Sequence, residues 1–200
     1  VIIPVKGPAN GKTRLAGVLN GAARARLMDA MRERVVAAAR GARAIDEICL
    51  LGPAVFGSTG RLTILADPGG GLNVALTSAL AQSGNVARVI IVHADLPQLT
   101  ADDVEPLAAS PADTVAIAPD RHGSGTNALS LPLPAAADFA FAFGIGSFAL
   151  HSTEILRLGL KRAVITSPGL ARDVDVPDDL PDAADCFEAD YLEPIWKPKA

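Results

Sequence analysis

Aromatic side chains are scarce in this chain, with one Trp, one Tyr and six Phe making 4% of 200 residues. Hydrophobic residues nonetheless make up 50% of it, so a core must be assembled mainly from Ala, Val, Leu and Ile. Cysteine is almost absent. Cys49 lies in an apolar run, Cys186 lies in an acidic one, and neither has a C-x-x-C partner, which excludes a disulfide framework and a zinc knuckle. No apolar run approaches the roughly 20 residues needed to cross a bilayer. No secretory leader pattern is visible, so the expectation is a soluble cytoplasmic protein without a membrane partner. Positive charge is also in short supply: 18 Lys and Arg face 22 Asp and Glu, for a net charge of -4. Nucleic-acid binding requires clustered cations on one face, and the only cluster lies in the first loop, so no nucleic-acid partner is expected.

Aspartate is what the chain has in excess, with sixteen Asp against six Glu. Aspartate favours turns, caps and metal sites, which places many of these carboxylates in loops. Two hundred residues suit one domain over 1–200, with 187–200 as a C-terminal tail. Strand-like and helix-like segments alternate. Residues 1–5 read as a strand. Residues 21–40 read as a helix capped by Asn20 and stopped at Gly41, with Leu27, Met31 and Val35 on one face. Further strands are expected at 47–51, 61–66, 88–97, 114–120, 127–133 and 163–167. Helices are expected at 71–82, after Thr100, at 147–158 and after 172–180. The alternation predicts an α/β fold with a mostly parallel sheet. In such sheets ligands bind beyond the carboxyl ends of the strands, so the loops there carry the chemistry.

The first loop, KGPANGKTRL, holds two of the five lysines, Lys6 and Lys12, with Gly11 and Arg14 beside them. It misses the P-loop spacing, because the first glycine would have to be residue 6 and residue 6 is Lys. No strong helix starts at Gly11-Lys12-Thr13 either. Its cations still suit a triphosphate; the alternative is a solvated basic turn. The loop DPGGGLN places Asn73 at a helix start, where its amide can read a base edge or serve only the turn. In HADLP, Asp95 sits just past the most apolar strand and is placed to hold Mg²⁺ on a phosphate, or to cap a turn. His93 reads as a packing residue. In DRHGSGTNAL, Gly123, Ser124, Gly125 and Thr126 form a candidate anion nest or a hairpin turn. FGIGSFALH repeats the theme, with Gly144 and Gly146 ahead of Ser147 at a helix N-terminus. In RDVDVPDDL, Asp173 and Asp175 alternate along an extended stretch and point one way, as a metal clamp or an acidic turn.

Taken in order, the segments PVK…GKTRL, GLN, ADLP, GTNAL, FG…SF..H and PGL..DVDVPDDL resemble the guanylyltransferases of deazaflavin coenzyme F-420 biosynthesis, within the nucleotidyltransferase class that includes molybdopterin guanylyltransferases. The resemblance spans residues 4–180. It implies a Rossmann-like three-layer α/β/α sandwich of the nucleotide-diphospho-sugar transferase type. It also implies transfer of GMP from GTP to phosphoenolpyruvate or 2-phospho-L-lactate; Mg²⁺ is the cofactor expected from the placement of Asp95. By that resemblance Thr126, Gly144 and Ser147 contact the acceptor. The first loop, with Lys6, Gly11, Lys12 and Arg14, then holds the GTP phosphates; the reading of the residues themselves adds Asn73 for the nucleotide, Asp95, Asp173 and Asp175 for the metal, and Lys12 and Asp95 for the chemistry. A homodimer and hand-off of product to the next enzyme of the pathway stay open. So do three rival readings: a nucleotidyltransferase with a molybdopterin or sugar or polyol phosphate acceptor, a P-loop-like hydrolase, and a non-catalytic nucleotide-binding module.

Overall fold

The computed structural model describes residues 1–5, 11–52 and 62–184, so Lys6, Cys186 and the tail at 187–200 lie outside the described residues. Its centre is a seven-stranded sheet in the order β3-β2-β1-β4-β6-β5-β7. The strands are β1 (Ile2–Pro4), β2 (Ile48–Gly52), β3 (Leu62–Ala66), β4 (Arg88–Val92), β5 (Thr114–Pro119), β6 (Thr126–Pro132) and β7 (Lys161–Val164). All neighbours are parallel except β6, which runs antiparallel to both β4 and β5. The reversal has a simple cause. The β5–β6 connection, residues 120–125, is too short for a crossover, so the chain turns back on itself. As a result the start of β6 lies at the same sheet edge as the end of β4.

Helices cover both faces. They are α1 (Gly21–Gly41), α2 (Leu72–Ala81), α3 (Ala101–Ala108), α4 (Ser147–Arg157), α5 (Pro168–Ala171) and α6 (Leu180–Ala184). Alternate residues of the inner strands feed two separate cores. Ile3, Ile90 and Val92 pack with Val35 of α1 and Leu107 of α3. Ile2, Val89 and Ile91 pack on the other face with Leu76 of α2 and Ile155 of α4. This period-two partition makes the three-layer α/β/α sandwich that the family resemblance implies. Full burial of each such aliphatic side chain is worth roughly 1.5–3 kcal/mol.

The local signals explain the element boundaries. Asn20 accepts the Ala23 N–H at 2.9 Å and caps α1. Asp103 accepts both the N–H and the hydroxyl of Thr100 at the start of α3. The last strand begins two residues earlier than the expected 163–167. It pairs only with β5, and an edge strand tolerates Lys161 and Arg162 where a central one does not. Sequence reading also missed α5, a single turn that Ser167 caps by accepting the Leu170 N–H at 3.2 Å.

Candidate active site

A third, smaller core decides where the charged groups meet. Leu15 and Leu19, just after the first loop, pack with Leu27 and Met31 of α1 and with Val174 and Leu180. Val174 lies between Asp173 and Asp175, so this cluster pins the acidic stretch against the amino-terminal loop. Gly11 lies inside the contact: a Cβ there would collide with the side chain of Met28. Lys12 follows in the left-handed conformation, with φ 51° and ψ 42°, which is uncommon for a residue with a side chain. Thr13–Leu15 then form one 3-10 turn, not the long helix that a P-loop places after its lysine.

That backbone aims Lys12 into the carboxylates. Its Nζ donates to Asp95 Oδ2 at 2.5 Å and to Asp175 Oδ1 at 2.8 Å. The Lys12 side chain is only 10% exposed and that of Asp95 24%. Arg14, on the surface, lies 3.9 Å from Asp175 Oδ2. Burial alone would depress the Lys12 ammonium, but Asp95 and then Asp175 outweigh it and raise its pKa above the ordinary value. Burial likewise opposes ionisation of Asp95, yet Lys12 and His93 hold its carboxyl below the usual range. Asp173 is the exception. Its carboxyl is pushed up, first by burial and then by the negative charge of Asp95.

Asp173 Oδ1 accepts from Asn127 Nδ2 at 3.2 Å, and the same amide donates to Leu170 O at 3.0 Å. Arg121 reaches Asp173 O at 2.6 Å and pairs with Asp179 at 2.8 Å. Asp179 in turn accepts the N–H groups of Asp175 and Val176 at 2.7 and 2.9 Å, so it fixes the acidic stretch rather than a ligand. Among the described residues no group of three His, Cys, Asp or Glu could by itself hold a metal ion. The donors do fit an ion that shares its ligands with a nucleotide: Asp95 Oδ1 is buried without a hydrogen-bond partner, and the surroundings of Asp173 disfavour its negative charge, which a cation would relieve.

The second half of the site lies across the sheet edge. Thr126 and Asn127, adjacent on β6, face opposite layers. Asn127 turns toward Asp173, while Thr126 Oγ1 meets His151 Nδ1 of α4 at 3.0 Å. Ser147 sits one helical turn before His151, on the same face, and is 2% exposed. Gly144 and Gly146 ahead of it have φ of 133° and 71°, which side chains rarely adopt. The strap leading to them is irregular, and side chains satisfy it. Glu154 Oε1 accepts the Ala140 N–H at 2.8 Å, and His151 Nε2 that of Ala142 at 3.0 Å. Asn73 Oδ1 accepts the Phe143 N–H at 2.8 Å, while its Nδ2 donates to Phe143 O at 3.2 Å.

Two expectations change here. Both polar atoms of Asn73 are engaged by Phe143, so the amide braces the strap instead of standing free to read a base. The anion nest expected at 120–126 is already filled by the chain itself. Asp120 accepts the His122 N–H at 3.1 Å and the Ser124 N–H at 2.8 Å, which makes this loop the hairpin turn. His93 packs as the sequence suggests. Its backbone N–H donates to Asn127 O at 3.0 Å, its ring lies 5.0 Å from that of Phe143, and its buried Nε2 has no hydrogen-bond partner.

Lys12, Asp95, Asp173 and Asp175 thus converge from three distant segments, and Thr126, Gly144 and Ser147 line the adjoining edge. A family model described as "Guanylyl transferase CofC like" matches residues 1–184. The chain belongs to that family. Relatives in it include phosphoenolpyruvate guanylyltransferase of Sphaerobacter thermophilus, 38% identical over 192 residues that cover 92% of this chain and 91% of the relative. Another is 2-phospho-L-lactate guanylyltransferase of Methanosarcina acetivorans, 33% identical, covering 90% of this chain and 83% of the relative. Among solved structures, a nucleotide-diphospho-sugar transferase from Desulfovibrio desulfuricans G20 superposes with a TM-score of 0.72 at 19% identity, over 90% of this chain and 83% of that one. A nucleotidyl transferase from Methanothermobacter gives 0.64 at 16% identity, over 92% and 94%. These structural likenesses establish the fold. As a CofC-like guanylyl transferase the chain is an enzyme, and none of its described helices is long and apolar enough to cross a membrane.

Proposed function

We propose that this enzyme transfers GMP from GTP to phosphoenolpyruvate or 2-phospho-L-lactate, and that the contact between Lys12 and the Asp95–Asp175 pair marks the triphosphate end of the site. That contact, in a chain 38% identical to a phosphoenolpyruvate guanylyltransferase, is the observation that carries the reading. Lys12, Arg14 and the backbone at Gly11 serve the GTP phosphates. Lys6, outside the described residues, belongs to the same proposal. Asp95 with Asp173 and Asp175 would hold Mg²⁺. Bound there, the ion would neutralise phosphate charge and stabilise the pyrophosphate leaving group. Thr126, Gly144 and Ser147 hold the acceptor.

The chemistry then needs no protein nucleophile. An acceptor phosphate oxygen attacks the α-phosphorus of GTP, a P–O bond forms, and the bond to the β-phosphate oxygen breaks to release pyrophosphate. Two anions must approach. Unit charges about 4 Å apart repel by roughly 4 kcal/mol at an effective dielectric near 20. Lys12 offsets that repulsion from a fixed position, since it is already desolvated and held in one geometry. The neutral donors on the opposite edge orient the acceptor without adding charge.

A pyrophosphate-release assay tests this directly. GTP with phosphoenolpyruvate or 2-phospho-L-lactate, in the presence of Mg²⁺, is expected to release pyrophosphate, whereas CTP with a polyol phosphate is not. Release of inorganic phosphate from GTP without any acceptor would instead identify a hydrolase.

A further inference from the structure

His151 has no part in the reaction as described so far, yet it is fully buried and uses both ring nitrogens. The Ala142 N–H points at Nε2 from 3.0 Å and can only donate. Nε2 must therefore carry the lone pair, and a neutral imidazole then bears its proton on Nδ1. That Nδ1–H faces Thr126 Oγ1 at 3.0 Å, so the hydroxyl oxygen accepts from it. The hydroxyl's own proton cannot also point at His151 and must be directed elsewhere.

We propose that His151 is a positioning residue for guanylyl transfer: held as the Nδ1–H tautomer, it turns the Thr126 hydroxyl into a hydrogen-bond donor aimed at the acceptor. The opposite tautomer would draw the hydroxyl proton inward and present lone pairs to an anion, which repels it. The tautomer thus sets the sign of the interaction between Thr126 and a phosphate or carboxylate oxygen. The surroundings hold the imidazole neutral. The rings of Phe143 and Phe139 lie 4.7 and 5.7 Å from it, and a second ring proton would confront the Ala142 N–H. Burial first, and His93 second, push the His151 pKa down to about 4 against the pull of Glu154.

This inference rests on Thr126 as an acceptor contact, and the experiment separates the two. The ¹⁵N shifts of the wild-type imidazole at neutral pH are expected to show a protonated Nδ1; a protonated Nε2 overturns the proposal. Thr126→Val is expected to raise the acceptor KM roughly 10- to 100-fold, the loss of a hydrogen bond to an anion, with the GTP KM little changed. His151→Leu is expected to do the same in the wild-type background and to add nothing in Thr126→Val. Independent, multiplying effects in the double variant would reduce His151 to a packing residue and overturn its role. His151→Asn, which retains an N–H near the Nδ1 position, is expected to restore most of the acceptor KM and keeps the test open if the leucine variant does not fold. A rise in His151→Asn equal to that in Thr126→Val contradicts the proposal. An unchanged acceptor KM in Thr126→Val strikes the placement of the acceptor itself, and the proposal with it.

Discussion

The charged half of the site and the neutral half are built differently. Around Lys12, three carboxylates and an ammonium come together from three segments distant in the chain; ion pairs join Lys12 to Asp95 and Asp175, Asp173 is held by Asn127, and the group is partly open to solvent. Around Thr126, the side chains of Ser147 and His151 are uncharged and nearly or wholly buried, and His151 ties Thr126 to the neighbouring strap by hydrogen bonds. Each half suits a different demand. Moving negative charge onto a leaving pyrophosphate calls for fixed cations, and a low-dielectric setting makes each one count for more. Presenting one phosphate oxygen in line calls for orientation, which neutral donors provide without competing for the cations. The sheet edge between β4 and β6 is what lets the two halves adjoin while each keeps its own environment.

The comparison breaks most visibly at Lys12. Lys12→Met removes the cation and leaves Asp95 and Asp175 facing each other, so kcat/KM in the pyrophosphate assay is expected to fall by roughly 10³-fold or more. Asp95→Asn is expected to cost roughly 10²- to 10³-fold in Mg²⁺-dependent turnover with the far-UV circular dichroism spectrum unchanged; near-normal turnover would remove Asp95 from the site. The neutral half responds to acid instead. His151 has a folded-state pKa of about 4, below its unfolded value of 6.5. The unfolded chain therefore takes up the proton first, and stability is lost as pH falls from 6.5 toward 4, by about 3 kcal/mol in all. Urea unfolding at pH 7 and at pH 4.5 measures this; His151→Asn is expected to narrow the difference, and His93, whose pKa burial also holds below its ordinary value, supplies the rest. His93 beyond β4 and Glu154 on α4 are the titratable groups whose charges act on that ring.

Particular residues show how far sequence carries such an account. Lys12 and Asp95 were legible because lysine is rare here and because a loop following a buried strand is where α/β sheets place ligands. Asp173 and Asp175 were legible from their alternation, but their division of labour was not. Only Asp175 reaches Lys12, while Asp173 turns to Asn127. The reversal of β6 was readable in principle from the length of the 120–125 connection. Asn73 and His151 were not readable as braces. Their partners are backbone groups of an irregular strap, and no residue pattern encodes which amide a side chain will reach. Asp120 shows the converse, since a loop rich in glycine and hydroxyls looked ready for an outside anion and had closed on its own carboxylate.

The division of the site is tested most directly by a two-substrate initial-rate matrix on one variant from each half, Arg14→Ala and Ser147→Ala. A crossed result is expected. Arg14→Ala, at an exposed side chain, raises the GTP KM only a few-fold and leaves the acceptor KM alone. Ser147→Ala raises the acceptor KM about tenfold and leaves the GTP KM alone. Equal shifts of both constants in either variant would contradict two adjoining pockets.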